Sequence, residues 1–170
     1  MKNLFIVTLF VFGVQLAHSQ GLPKFELTEA GVKPIVVTVD SMNAGQIYKK
    51  ALKWVQTSYK TPDKVLKANI ENELLRIDGY KDMAFYYKSL GKKIYSDSEY
   101  TFQIEIKDGK MRLLFEPGQF WVTGYNTRAL YTYKTFFKST GEVRQVYSIA
   151  KEEYENSMNE LVTSLYGYLK

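Results

Sequence analysis

The side chains that could do chemistry in this 170-residue chain are carboxylates, because the usual nucleophiles and metal ligands are scarce. There is no cysteine and one histidine, His18. That histidine lies in MKNLFIVTLFVFGVQLAHSQ, where Lys2 precedes an apolar run from Leu4 to Val14 and a small-x-small site at Ala17-His18-Ser19. The pattern is that of a secretory leader, with cleavage expected after Ser19. The run is about half the ~20 residues needed to span a bilayer, which argues against an anchor. An exported chain, periplasmic or secreted, is therefore expected, with neither cysteine nor histidine once mature. That inventory excludes Ser-His-Asp triads, cysteine nucleophiles, ordinary zinc sites and disulfides. The sequence carries no Walker loop, Gly-rich dinucleotide turn or calcium-loop spacing, so no cofactor and no metal are expected. Glu71, Glu73, Asp78, Asp82, Asp97 and Glu99 leave carboxylate-only hydrolysis of envelope polymers as the alternative to a non-catalytic role. Such sites need a deep cleft, which a small sheet sandwich rarely offers, so no catalytic residue is assigned.

Binding chemistry is more legible. In QIEIKDGKMRLLF, Gln103 to Phe115, the Asp108-Gly109 pair between alternating stretches predicts a hairpin with a type I′ turn. A two-residue loop sets Lys107 opposite Lys110, Ile106 opposite Met111, Glu105 opposite Arg112, Ile104 opposite Leu113 and Phe102 opposite Phe115. Glu105 and Arg112 should form a cross-strand ion pair on the polar face. Farther on, Trp121 and Tyr125, with Tyr131 and Tyr133, are candidates for a stacking platform for sugar or peptide. The ligand-binding candidates are thus Glu105, Arg112, Trp121 and Tyr125. The partner expected is an envelope protein, peptide or glycan, with a homodimer through a sheet edge as a further arrangement. Without the leader, the surplus of basic over acidic residues is four. That is too small and too scattered to argue for nucleic acid.

These residues need a scaffold. Gln20 to Pro34, broken by Pro23, Gly31 and Pro34, predicts an extended lead-in. Ile35 to Asp40 predicts a strand with Ile35, Val37 and Val39 on one face. Asn43 and Gln46 form a capping-box pattern, followed by a stripe of Ala44, Ile47, Tyr48, Ala51, Trp54, Val55 and Ser58 at helical spacing; Pro62 closes that region. Val65 to Ile70 and Leu74 to Asp78 predict two further strands. Tyr80 to Glu99 fits either a short strand at AFYYK or a long loop, with Gly91 opposing a continuous helix. After the hairpin and Pro117-Gly118, a strand end and a long connection are expected. Ser148 is a candidate cap for a last helix, with Glu152 and Glu153 in its first turns and a stripe of Tyr154, Met158, Leu161, Val162, Leu165 and Leu169. Burying Phe102, Ile104, Ile106, Met111, Leu113 and Phe115 is worth on the order of 10 kcal/mol, so that face demands a cover.

Tyr48 and Trp54 on the first helix, Arg76-Ile77-Asp78-Gly79, and Tyr100 leading into Ile106-Lys107-Asp108-Gly109-Lys110-Met111-Arg112 resemble a bacterial family of exported proteins of unknown function with a TATA-box-binding-protein-like fold. The resemblance covers Ile35 to Leu169 and implies a fold, without a reaction or catalytic residues. Both lines give an α+β two-layer sandwich, an antiparallel sheet with two helices on one face, in the order β-α-β-β-β-β-α. The chain divides into a leader at 1–19, the lead-in at 20–34 and a single domain at 35–170.

Overall fold

A computed structural model of the chain describes residues 22–124 and 131–170; the segment expected as a leader and Tyr125 lie outside them. A short hairpin, β1 (Leu27–Thr28) and β2 (Gly31–Val32), leads into β3 (Ile35–Thr38). Helix α1 (Ala44–Ser58) and the single-turn α2 (Pro62–Val65) follow. Four strands come next: β4 (Leu66–Ile70), β5 (Leu74–Ser89), β6 (Lys92–Lys107) and β7 (Lys110–Val122). A short β8 (Tyr131–Thr132), two 3-10 turns and helix α3 (Ser148–Leu169) complete the order. The large sheet is antiparallel and runs β3-β7-β6-β5-β4, with β8 on the outer part of β7.

Alternation along the strands decides which face is covered. Ile35, Val37, Leu75, Ile77, Phe102, Ile104, Met111 and Leu113 all point to one side and are buried. Helices α1 and α3 lie on that side. Trp54 packs edge-on against Phe102, and its indole N–H donates to Ser164 Oγ at 3.0 Å. The Asn43–Gln46 capping box forms in both directions, at 2.9 and 3.0 Å. Tyr154 of α3 meets Phe25, Phe85 and Phe120 edge to face, an aromatic second half of the core. Phe25 and Leu27 come from the lead-in, so that segment is part of the core. Asn159 and Glu155 of α3 accept the backbone N–H groups of those two residues.

The β6–β7 hairpin has the expected register at every pair from Phe102–Phe115 to Lys107–Lys110. Its turn differs. Gly109 takes φ +70 but Asp108 keeps a negative φ, so the turn is not type I′, which needs positive φ at both central residues. The reason is tertiary. Asp108 Oδ1 accepts the N–H of Ala44 at the start of α1, Gly109 N–H donates to Met42 O, and Val39 N–H donates to Gly109 O. Tyr80 to Glu99, expected as a short strand or a loop, instead forms the outer halves of β5 and β6. They are joined at Leu90-Gly91, where both residues have positive φ (+48 and +74) and Ser89 pairs with Lys92. This turn carries the type I′ signature. Ser148 is the first helical residue of α3, not its cap; its hydroxyl donates back to Gln145 O, and the first turn holds no acid. Pro62 opens α2 as its first residue and does not merely end α1.

Candidate functional site

The second sheet face carries side chains from β5, β6 and β7 and has neither long helix on it. Its polar groups fall into three clusters along the strands. At the hairpin end, Arg112 Nε donates to Glu105 Oε2 at 2.6 Å, and Gln103 Nε2 donates to Glu105 Oε1 at 3.0 Å. The guanidinium bond, with Gln103 assisting, holds the Glu105 carboxyl below its usual range and raises Arg112. Glu105 and Arg112 border a shallow hollow of about 280 Å³ with Val36, Lys107 and Lys110.

In the middle, Thr101 Oγ1 donates to Asp78 Oδ1 at 2.9 Å, and Arg76 Nε lies 3.8 Å from the same oxygen. Here β4 pairs with β5 only as far as Ile77, so from Asp78 onward β5 has no strand neighbour on that side among the described residues. A groove of about 450 Å³ opens at this corner, lined by Lys67, Asp78, Tyr80, Glu99, Thr101 and Gly118. Both glycines that line it, Gly79 and Gly118, exclude a Cβ. A Cβ at Gly79 would sit 2.3 Å from the Tyr100 ring, and one at Gly118 would sit 2.9 Å from the Glu99 carbonyl oxygen and Cβ.

Beyond the groove lies Asp97, only 4% exposed although it is on the outward face. Residues 82–84 bulge opposite it, between the Lys81–Ser98 and Phe85–Ser96 pairs. Asp97 accepts Thr123 Oγ1 at 2.6 Å, Met83 N–H at 2.8 Å and Tyr80 OH at 2.8 Å. Burial alone would raise its pKa, but those three bonds outweigh burial and hold it below the usual value. Met83 sits at φ +45 to deliver its N–H, so the carboxylate fixes a strained bulge. Burial, then the bond to Asp97, pushes the Tyr80 phenol up, keeping it a neutral donor. The Tyr80 ring lies 5.2 Å from that of Trp121, tilted by 30°.

The candidate residues thus separate into two places. Glu105 and Arg112 meet directly. Trp121 sits nine residues along β7 from Arg112, roughly 30 Å at strand rise. Tyr131 does not join Trp121 in the expected platform, and Tyr125 lies outside the described residues. Tyr131 packs on Phe85 and Phe120 on the helix side and its hydroxyl meets Ser96 Oγ at 2.6 Å, while Trp121 faces outward. Adjacent strand residues point to opposite faces, and β8 joins β7 with Tyr131 opposite Phe120, not Trp121. Asp97 is expected from the sequence only as one of the available carboxylates, and Tyr80 and Thr101 carry no local motif that marks them as binding residues. Their outward alternation is readable in the sequence; the bulge at 82–84 that buries Asp97 is not. Among the described residues no cluster of three or more acidic side chains is placed to hold a metal ion, and no helix is long and apolar enough to cross a membrane.

Residues 35–121 match the family described as a domain of unknown function (DUF4468) with TBP-like fold, and the chain belongs to that family. Two solved structures are similar. A DUF4468 family protein from Bacteroides ovatus ATCC 8483 superposes with a TM-score of 0.60 at 14% identity, over 87% of this chain and 90% of that one. A TBP-like protein from Parabacteroides distasonis ATCC 8503 gives a TM-score of 0.58 at 11% identity, over 81% and 90%. At such identities the likeness shows the fold alone. No curated protein matches the sequence.

Proposed function

We propose that this chain is a non-catalytic binding module exported to the cell envelope, and that its outward sheet face holds an extended peptide segment of an envelope partner. The observation that carries the reading is the groove at the corner where β4 stops. A short stretch of β5 without a strand neighbour, from Asp78 to the bulge where Ser157 of α3 donates to Ala84 O, borders a hollow of about 450 Å³, with the Tyr80–Trp121 ring pair at its far side. An extended peptide would add backbone hydrogen bonds along that edge and lay side chains across the groove and the rings. Lys67, Asp78, Glu99 and Thr101 offer both charges and a hydroxyl for orientation. The leader pattern supports export. A hydrolase would need one carboxyl held protonated near neutral pH. Asp97 and Glu105 are both displaced toward the ionised form instead.

Capture from envelope extract tests the proposal. Thr101→Arg fills the groove from a half-buried position, and Trp121→Ala removes the ledge; each should weaken capture of the bound partner by at least about tenfold. Glu105→Ala with Arg112→Ala, at the other end of the sheet, should leave that partner in place. A partner list unchanged by Thr101→Arg and Trp121→Ala, with the fold intact by circular dichroism, overturns the groove as the site.

A further inference from the structure

We propose a second interaction surface: the tip of the β5–β6 hairpin docks on an anionic lipid surface, with Leu90 entering the interface and three lysines meeting the headgroups. Leu90 is 100% exposed. It also holds φ +48, a left-handed conformation that residues other than Gly, Asn and Asp seldom adopt. An exposed leucine in that position satisfies neither packing nor turn chemistry. The strands behind it carry a second local conflict. Lys88 stands directly opposite Lys93, and Lys92 is the next residue, opposite Ser89. Like charges so placed repel. From Met83 to Ser96 the chain has three lysines and no acid. A negatively charged surface relieves the repulsion, and its acyl region takes up the leucine; a soluble polyanion does only the first.

The geometry suits shallow insertion. Tyr86 and Tyr95 face each other across the hairpin with ring centroids 5.8 Å apart, and Lys93 Nζ lies 4.1 Å from the Tyr86 ring centre. Tyr86 is four residues behind Leu90, roughly 13 Å along the strand. With the leucine immersed by about 5–10 Å, the tyrosine pair reaches headgroup level, where such rings concentrate. This surface lies at the far end of the sheet from Glu105 and does not depend on the groove at Asp78.

Co-sedimentation of the exported chain with phosphatidylcholine vesicles, alone or mixed with phosphatidylglycerol, decides it. All variants carry the same N-terminus, so any contribution from it is common to each. Binding is expected only to the mixed vesicles. It should fall about a hundredfold in Lys88→Gln/Lys92→Gln/Lys93→Gln, at about fivefold per lysine near the surface. It should fall about tenfold in Leu90→Asn. Asparagine tolerates the left-handed conformation, so Leu90→Asn should unfold at an equal or higher temperature, which separates lost docking from lost fold. Equal binding to neutral vesicles, no binding to the anionic ones, or loss in the lysine variant without loss in Leu90→Asn each overturns the proposal. The last result would mark a polyanion site in place of a lipid one.

Discussion

Substituting Gly79 by alanine tests how the groove corner is built. Gly79 pairs with Tyr100 across β5 and β6, and the Tyr100 ring lies over it on the helix side. An ideal Cβ at 79 stands 2.3 Å from Tyr100 Cζ and 2.5 Å from Cε2 and from the hydroxyl oxygen. Carbon atoms approach comfortably to about 3.5–4.0 Å, so the ring must retreat by more than ~1 Å. It has little room. Tyr100 is 4% exposed, its hydroxyl is 3.0 Å from that of Tyr59, and Tyr59 packs edge-on against Trp54 at 5.8 Å. Over-packing of this kind costs about 1–3 kcal/mol, and the hydroxyl pair adds about 1. Against that, alanine lowers the entropy of the unfolded chain, worth about 0.4–1 kcal/mol, because the backbone at Gly79 is not left-handed. The expected net loss is about 2–3 kcal/mol. Tyr100→Ala alone should cost about 3–5 kcal/mol through its cavity. In the double variant the new methyl no longer meets a ring and the hydroxyl pair is already gone, so the combined loss should fall short of the sum by about 3 kcal/mol. Urea denaturation at constant slope measures all four states. A Gly79→Ala loss under about 0.5 kcal/mol, or additive losses in the pair, would refute the packing argument.

Asp97→Ala strands one backbone N–H and two hydroxyls, and should lower stability by about 2–4 kcal/mol at neutral pH in the same assay. Because the folded pKa of Asp97 lies below its unfolded value, its carboxylate stabilises the fold above about pH 4. That contribution shrinks as pH falls through the unfolded value toward the folded one, since the unfolded chain takes the proton first. Asp97→Asn should therefore flatten the acid limb of the stability profile, and an unchanged limb would assign the loss to other carboxyls. Asp108→Ala removes the carboxylate that accepts from Ala44 N–H at 2.7 Å, and should cost about 1 kcal/mol, like the loss of an N-cap. Asp108→Asn should recover most of it, as read from the urea midpoint.

The layer arrangement was legible because it rests on alternation. Ile104 and Leu113 had to share a face once a two-residue loop fixed the register, and both are fully buried. The stripes Ile47-Ala51-Trp54 and Tyr154-Met158-Leu165 needed one apolar surface and share it. What escaped the sequence was set by contacts between distant segments. Gly79 and Gly118 look like strand breakers until the neighbouring side chains that exclude a Cβ are known. Asp97 alternates outward like any solvated residue, yet the three-residue bulge opposite buries it. Tyr131 and Trp121 are both aromatic and near in sequence, but the register of β8 against β7 puts them on opposite faces.

The two tight hairpins of the sheet make the sharpest contrast. Asp108-Gly109 has the chemistry of a type I′ turn and does not adopt one, because three hydrogen bonds fasten it to the β3–α1 connection and the start of α1. Leu90-Gly91 has poor chemistry for that turn and adopts it, with Leu90 fully exposed and nothing within 4 Å of a Cβ built at Gly91. At the first turn, tertiary bonds explain why local preference lost. At the second, no contact within the described fold compensates for the strain or the exposed side chain. Turn chemistry alone favours asparagine at position 90, which would be both better tolerated and more soluble. The fold therefore gives no reason for a leucine there, and the three surrounding lysines supply one: the residue is shaped for a surface that the folded chain meets from outside.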